Sequence, residues 1–308
     1  MPRGLRSEAI CPKEIDVPAG SDCSDFDELL AVLDLKPAGD DVFVGGHPSK
    51  NPVRTFGGQM MAQAFVAAGR TVDPKLPPNA ISVHFISGGD PAKDLDFTVV
   101  RLRDERRFAN RRVDVTQDGQ LLTTAFVSFL SGGRSLEHGV SAPNVPPPHD
   151  LPKITELLVG YEDVVPLFVH ALKPIEWRYT NDPAWVMRKK GDRLEHNRVW
   201  MKTERPMPDD QVLHHAALVY SSDTTVLDSI ITRHGLSWGF DRIFAVSINH
   251  SVWFHRPVIF DDWLLYSTSS PVASDSRALG TGHFFDQDGN VVATVVQEGI
   301  IKHFPSKG

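Results

Sequence analysis

The stretch Asn-Val-Val-Ala-Thr-Val-Val-Gln-Glu-Gly, residues 290–299, decides the fold of this chain. Its almost unbroken run of β-branched residues is typical of a strand that is buried on both faces. Because successive side chains of a strand alternate, Gln297 shares a face with three apolar residues of the run. An unpaired amide on a buried face costs about 1–3 kcal/mol. We therefore predict that Asp223 and Ser247 are the partners of Gln297, and that the three together hold a water.

The composition restricts the class of protein to which the chain can belong. Its 308 residues, 41% of them hydrophobic, suffice for one large domain or two medium ones. The net charge of −7 argues against a nucleic-acid partner, which would require a basic surface. No apolar run reaches the roughly 18 residues that span a bilayer, so we expect no stable membrane insertion. Two cysteines, Cys11 and Cys23, are typical of free thiols in a reducing compartment, which favours a cytoplasmic location.

A helix followed by four strands is predicted twice along the chain. In the first half a largely apolar helix, from near Gly58 to near Gly69, precedes strands at 81–87, 95–103, 108–116 and 120–130. In the second half a long helix at 209–234 precedes strands at 246–255, 263–270, 277–286 and 290–303. The hairpin signal Gln-Asp-Gly occupies the last turn of both halves, at 117–119 and 287–289. This repeat indicates a duplicated domain in which each sheet wraps round a helix.

The duplication points to function at one residue. Gln297 aligns with Val127 of the first half, so the fold does not need a polar side chain there. Asp223 lies on the apolar stripe of the second helix, where its carboxylate would face the sheet. Asp223 could instead cap a second helix that begins at Thr224. Ser247 opens a strand, and an ordinary strand-end hydroxyl is the alternative for it.

Two further patterns give competing interpretations. Gly-Leu-Ser-Trp-Gly (235–239) matches the G-x-S-x-G nucleophile elbow, with Ser237 as the nucleophile. That elbow requires a strand before the serine and a helix after it, whereas here the predicted order is reversed. Six arginines between 101 and 112 form either a solvated strand edge or a phosphate site. The histidines lack metal-ligand spacing and no phosphate-binding glycine loop is present, so we predict neither a metal nor a cofactor.

Several motifs together resemble a known family. They are Phe-Gly-Gly-Gln (56–59), Leu-Arg-Asp (102–104), Phe-Ala-Asn-Arg-Arg-Val (108–113), Tyr-Ser-Ser-Asp (220–223), His-Ser-Val-Trp-Phe-His-Arg-Pro (250–257), Trp-Leu-Leu-Tyr (263–266) and Val-Gln-Glu-Gly (296–299). In this order they resemble the acyl-CoA thioesterase II family, the bacterial TesB type and its peroxisomal relatives, over about residues 26–303. The resemblance implies an α+β double hotdog fold, with two tandem repeats of an antiparallel sheet wrapped round a long central helix. We expect a mobile N-terminal segment (1–25), an N-terminal hotdog (26–131), a linker region (132–192) and a C-terminal hotdog (193–308).

The resemblance also implies an activity and a site. The expected reaction is hydrolysis of fatty acyl-CoA to free fatty acid and CoA, with Asp223, Ser247 and Gln297 as catalytic residues that orient a water. Asn249 departs from the family, which usually has Asp there. The alternatives are a non-catalytic acyl-CoA-binding hotdog protein and a serine hydrolase that uses Ser237. We expect a homodimer or homotetramer. The residues expected to bind substrate are Gly58, Gln59, Arg111, Arg112, His250 and Trp253.

Overall fold

The computed structural model describes residues 25–48, 54–133, 135–165 and 174–304. The predicted mobile segment and both cysteines lie outside these residues, apart from Asp25. The helices are α1 (Asp25–Leu33), α2 (Gly57–Gly69), α3 (Ile154–Leu157), α4 (Ala184–Lys190), α5 (Gln211–Ser222) and α6 (Asp228–Arg233). The strands are β1 (Lys36–Gly39), β2 (Val42–Gly45), β3 (Pro78–Phe85), β4 (Leu95–Glu105), β5 (Phe108–Gln117), β6 (Gln120–Leu130), β7 (Ile175–Tyr179), β8 (His196–Thr203), β9 (Ile243–Phe254), β10 (Leu264–Ser274), β11 (Arg277–Phe285) and β12 (Val291–His303).

The strands form one continuous antiparallel sheet whose order is symmetric about its centre. The order is β1-β2-β4-β5-β6-β3-β9-β12-β11-β10-β8-β7, so each strand of the first half has a counterpart in the second. The halves join where β3 pairs with β9. Ser82 lies opposite Ser251 in this pair, and their Oγ atoms are 2.9 Å apart. A pseudo-two-fold axis therefore passes between these two serines and relates the two predicted repeats.

Helices α2 and α5 lie against each other under the sheet and run in opposite directions. Gly58 at the start of α2 lies beside Tyr220 near the end of α5, and Gly69 at the end of α2 lies beside Val212. Every residue of α2 from Gly58 to Ala68 is buried, as the apolar sequence of this helix predicts. The predicted double hotdog is confirmed, with the two repeats sharing one sheet. The antiparallel helix pair brings the start of α2 to the end of α5, which is where the candidate site lies.

The predicted long helix at 209–234 is wrong in one respect, because it breaks into α5 and α6. The side chains of Ser221 and Thr224 donate hydrogen bonds to the carbonyls of Ala217 and Ser221, respectively. Such local bonds compete with the helical backbone and favour a break. The region predicted as a linker, 132–192, contributes β7 to the edge of the sheet and α4 beside it. The domain boundaries stay a prediction.

Candidate active site

The carboxylate of Asp223 lies at the meeting point of the two central helices. Asp223 ends α5, and its Oδ2 accepts the backbone N–H of Gly58 at 2.8 Å. Gly58 belongs to the first turn of α2, whose N–H groups have no partner within the helix and carry the positive end of the helix dipole. A carboxylate is therefore stabilised at this position. This contact couples the two repeats directly.

Two glycines allow the helix ends to approach this closely. A Cβ on Gly57 would lie 2.9 Å from Oδ2 of Asp223, and a Cβ on Gly58 would lie 2.6 Å from the carbonyl oxygen of Tyr220. Real Cβ atoms do not tolerate such separations from backbone, so any larger residue at Gly58 would push α2 away from α5. The Gly-Gly of the sequence motif is explained by this packing.

The amide of Gln297 joins the other two members of the predicted cluster. Its Nε2 donates to Oδ1 of Asp223 at 2.8 Å and to Oγ of Ser247 at 2.6 Å. Gln297 is fully buried, so both amide hydrogens require acceptors, and these two contacts supply them. The three residues come from three separate elements, α5, β9 and β12, and the structure brings them together as expected.

A β-bulge in β9 turns Ser247 toward this cluster. Along β12, Glu298 pairs with Asn249 and Gly299 pairs with Ser247, so Ile248 is an extra residue in β9. Simple alternation would place Ser247 on the face opposite His250. The bulge reverses this, and both side chains face the helices.

A chain of buried groups fixes the orientation of the Gln297 amide. The Oε1 of Gln297 lies 2.8 Å from Nδ1 of His250, and Nε2 of His250 lies 2.9 Å from Oγ of Ser222. Because Oε1 can only accept, His250 carries its hydrogen on Nδ1 and accepts from Ser222. The hydroxyl of Tyr266 donates to the carbonyl of Ser222 at 2.9 Å and so anchors the end of α5. Sequence reasoning did not predict the roles of Ser222 and Tyr266, although both lie in the quoted motifs.

Burial shifts the acid–base properties of this cluster. It raises the pKa of Asp223 to about 7, while hydrogen bonds from Gln297 and from the N–H of Gly58 act in the opposite direction. Burial lowers the pKa of His250 to about 4, so its imidazole is neutral at physiological pH. The 3.8 Å separation between Nδ1 of His250 and Oδ1 of Asp223 is therefore not an ion pair. Asp223 is thus a carboxylate poised to exchange a proton near neutral pH.

Arg111 corrects one of the expected substrate-binding assignments. Its side chain is fully buried, and its five N–H donors all bond within the chain. Two reach Thr71, one reaches the carboxylate of Asp104, and two reach the backbone carbonyls of Arg103 and Asn110. None is left for a phosphate, so Arg111 holds the chain that follows α2 rather than CoA.

The other expected substrate-binding side chains are of two kinds. Those of Gln59 and His250 are buried and bonded within the chain, whereas those of Arg112 and Trp253 are at least partly exposed. Gln59 is buried and its amide donates to the carbonyl of Gly46, so its side chain fixes the start of α2. His250 contacts Gln297 rather than open space. Arg112 is partly exposed and pairs with Asp114 on β5, the third strand from β9 in the sheet. Trp253 lies on the outer face of β9, where it is 40% exposed. Gly58 presents its backbone N–H at the cluster, and substrate contact by the other four residues stays a prediction.

The alternative nucleophile lacks a catalytic setting. Ser237 is 1% exposed, and its hydroxyl donates to the carbonyl of Trp238 at 3.0 Å. It lies between α6 and β9, so a helix precedes it and a strand follows, which is the reverse of a nucleophile elbow. Within the described residues no group of three or more His, Cys, Asp or Glu side chains could hold a metal ion. Among the same residues no helix is both long and apolar enough to cross a membrane.

The tandem hotdog fold and its likeness to solved TesB structures place the chain in the double hotdog class of thioester hydrolases. Residues 168–300 match the acyl-CoA thioesterase family, and residues 47–130 match the acyl-CoA thioesterase N-terminal domain. The chain belongs to the acyl-CoA thioesterase family.

Relatives of known name cover almost the whole chain. The chain is 32% identical to acyl-coenzyme A thioesterase 8 of Homo sapiens, over 90% of this chain and 89% of that protein. It is 28% identical to acyl-CoA thioesterase 2 of Haemophilus influenzae, over 90% of this chain and 98% of that protein. Among solved structures, acyl-CoA thioesterase II TesB2 from Mycobacterium marinum is 30% identical, with a TM-score of 0.73. The alignment includes 91% of this chain and 99% of that structure. The similarity therefore extends over both repeats.

Proposed function

We propose that Asp223, Ser247 and Gln297 hold and activate the water with which this enzyme hydrolyses acyl-CoA to a fatty acid and CoA. Asp223 accepts a proton from the water as the water attacks the thioester carbonyl. Ser247 and Gln297 fix the position of the water, which lowers the entropic part of the barrier. The observation that best supports this proposal is that the buried amide of Gln297 donates to both the carboxylate of Asp223 and the hydroxyl of Ser247.

The acid–base state of Asp223 supports its role as the base. A general base is most efficient when its pKa lies near the operating pH, and burial raises the pKa of Asp223 to about 7. The two bonds from Gln297 and Gly58 leave carboxylate lone pairs that can accept from a water. Ser247 accepts from Gln297 and so can direct its own O–H toward that water.

The first turn of α2 supplies the electrophilic assistance in this proposal. The N–H groups of Gly57, Gly58 and Gln59 precede the first bond within the helix, from Met60 to the carbonyl of Phe56. The N–H of Gly58 is bonded to Asp223. A neighbouring N–H of this turn would polarise the thioester carbonyl and stabilise the developing oxyanion.

A covalent acyl-serine at Ser247 is not favoured. Such a mechanism requires a base next to the hydroxyl. His250, the buried histidine nearest the cluster, bonds to Gln297 and Ser222 instead, and its pKa of about 4 makes it a weak base. Attack by water therefore fits the hydrogen bonds better.

The substrate class, assembly and location complete the proposal. We infer that the acyl group is that of a fatty acid, because the cluster lies beside the apolar helix pair and the named relatives are acyl-CoA thioesterases. We also infer a homodimer or homotetramer in the cytoplasm. The outer face of the central strands supports assembly, since Phe126 and Trp253 are 46% and 40% exposed there.

The test compares Asp223→Asn with a matched buried carboxylate. Asp228 also lies near a helix start, and burial also raises its pKa to about 7, but it bonds to Trp238 away from the cluster. Thiol release is followed with acyl-CoA substrates of increasing chain length. Asp223→Asn is expected to lower kcat by about 100- to 10,000-fold, whereas Asp228→Asn keeps most activity per folded molecule.

Two outcomes would contradict the proposal. Equal activity in wild type and Asp223→Asn would remove Asp223 from the mechanism. Binding of palmitoyl-CoA by the wild type without thiol release would instead identify a non-catalytic acyl-CoA-binding protein.

A further inference from the structure

The pseudo-two-fold axis implies a counterpart of the catalytic cluster at the opposite end of the helix pair. The strands register identically in the two halves, including a bulge at Asn79 that matches the bulge at Ile248. The residues that correspond to Asp223, Ser247, His250 and Gln297 are, in that order, Arg70, Pro78, Ile81 and Val127. The counterpart has therefore kept the backbone of the site, but three of its four positions are apolar, and the guanidinium of Arg70 bonds to Asp34 and to the carbonyl of Leu35.

A cavity of about 680 Å³ lies at this counterpart, between the end of α2 and the start of α5. This volume is within the usual range for small-molecule sites. The walls are largely apolar and include Val72, Leu76, Phe129, Val212 and Phe254. An unbranched hydrocarbon chain matches walls of this kind, because its burial removes apolar surface from water on both sides.

One buried histidine forms part of the wall without bringing a charge. His215 is 2% exposed, and its Nδ1 lies 2.6 Å from the carbonyl of Gln211. Burial lowers the pKa of His215 to about 4, so the ring is neutral. The same ring lies edge-on to Phe254 at 4.7 Å between centroids and behaves as part of an aromatic wall.

The mouth of the cavity carries charges of both signs. The cations are Lys75 and Arg256, and the acids are Asp73, Asp209 and Asp210. Asp73 and Asp210 each accept a backbone N–H, from Lys75 and Val212 respectively. His255 also lines the mouth, and burial lowers its pKa, so it adds no charge at neutral pH.

This balance of charge selects the head group. Two cations can hold one carboxylate at the mouth. With two cations and three carboxylates the mouth carries a net charge of −1, so repulsion grows with each negative charge on the ligand and disfavours the several phosphates of CoA more than a single carboxylate. An amphiphile with a long chain and a single negative charge fits both the walls and the rim.

We propose that this cavity is a non-catalytic site that binds a long-chain fatty acid, with its chain among the apolar walls and its carboxylate between Lys75 and Arg256. The ligand is of the same chemical class as the acid released by the proposed reaction. The site does not hydrolyse thioesters, because Pro78 and Val127 offer neither a hydroxyl nor an amide to hold a water. The repeat therefore pairs a catalytic pocket with a binding pocket.

The experiment measures palmitate binding while the catalytic pocket is occupied. Full-length protein is saturated with a thioether analogue of palmitoyl-CoA, which cannot be hydrolysed, and labelled palmitate is added below its aggregation concentration in equilibrium dialysis. The wild type is expected to bind one palmitate per chain. The double variant Lys75→Glu/Arg256→Glu is expected to bind about tenfold more weakly.

Two further variants separate the site from general charge and folding effects. Leu76→Trp fills the cavity from a half-buried loop position and is expected to abolish palmitate binding. Lys36→Glu/Arg106→Glu reverses two exposed charges away from the cavity and is expected to leave binding unchanged. All variants are first shown to have the circular dichroism spectrum and the gel-filtration elution volume of the wild type.

Three results would overturn the proposal. They are the absence of palmitate binding when the analogue is present, equal binding in wild type and both cavity variants, and binding of free CoA at this site in preference to palmitate. A loss of thioesterase activity in the wild type would count against the proposed function alone, because palmitate binding is measured without turnover.

Discussion

At the scale of single residues, the orientation of one amide organises the site. Nε2 of Gln297 donates hydrogen bonds to Asp223 and Ser247. It can do so only while Oε1 accepts a hydrogen bond from His250. A half-turn of the amide would place an oxygen against the carboxylate, which costs free energy because two acceptors would then face each other. His250 is therefore a positioning residue for the proposed base rather than a substrate ligand.

The pH dependence of turnover follows from the pKa of Asp223. A base must be deprotonated to accept a proton, so kcat/KM is expected to rise with pH through about 7 and then level. Gln297→Met removes a hydrogen bond that lowers this pKa, so the midpoint moves to higher pH. A pH profile of wild type and variant measures both effects. A rate that is flat between pH 5 and 9 would contradict the assignment of the base.

Substitutions at His250 separate positioning from packing. His250→Asn keeps an N–H donor close to the place of Nδ1, whereas His250→Leu removes it. We expect His250→Leu to lower kcat by about 100-fold, to change KM little and to raise the midpoint of the pH profile. His250→Asn is expected to restore part of kcat and the wild-type midpoint. Equal kcat and equal midpoints in the two variants would indicate that His250 serves only to pack the core.

At the scale of elements, the two repeats differ in the contacts between the sheet and the segment that follows each central helix. In the first repeat Arg111 of β5 holds Thr71 after α2. The corresponding residue of β11 is Gly280, where a Cβ would lie 2.8 Å from Val226. The absence of a side chain at Gly280 lets the segment between α5 and α6 lie against the sheet. The carboxylate at the end of α5 gains its position beside Gln297 in this way.

Arg111 is expected to matter for stability and not for CoA binding. Arg111→Met removes five hydrogen bonds from a buried charged group and is expected to lower the free energy of unfolding by about 2–4 kcal/mol. The KM for acyl-CoA should stay unchanged in the folded fraction. Arg112→Met, at a partly exposed neighbour, is the control and should change the free energy of unfolding little. A raised KM with an unchanged melting temperature would restore Arg111 as a phosphate ligand.

At the scale of the whole molecule, we propose that the outer face of the central strands forms the interface of the predicted assembly. Phe126 and Trp253 lie on this face on either side of the pseudo-two-fold axis, next to Ser82 and Ser251. Small residues between two exposed aromatic side chains favour contact with an identical face of another copy.

Light scattering after gel filtration tests this assembly. The wild type is expected to elute at a multiple of the 34.1 kDa chain mass, and Trp253→Arg at a lower mass. Val272→Arg, at another exposed apolar residue on β10, is the control and should leave the mass unchanged. A wild type that elutes at the mass of one chain would exclude the predicted dimer or tetramer.

Sequence patterns alone indicated the repeat and its order of elements, and the resemblance of the motifs to the thioesterase II family implied the members of the cluster. Three features are visible directly in the sequence. They are the periodicity of the strands, the two Gln-Asp-Gly turns and the replacement of Gln297 by Val127 in the first repeat. Only the tertiary structure decided that Ser247 faces inward, that Arg111 is buried, and that the helix breaks at Asp223. Each of these depends on partners far along the chain: the bulge exists relative to β12, the Arg111 donors bond to Thr71, and Gly280 makes room for the break. Such features are fixed by contacts between residues that are far apart in the sequence, so no local sequence pattern predicts them.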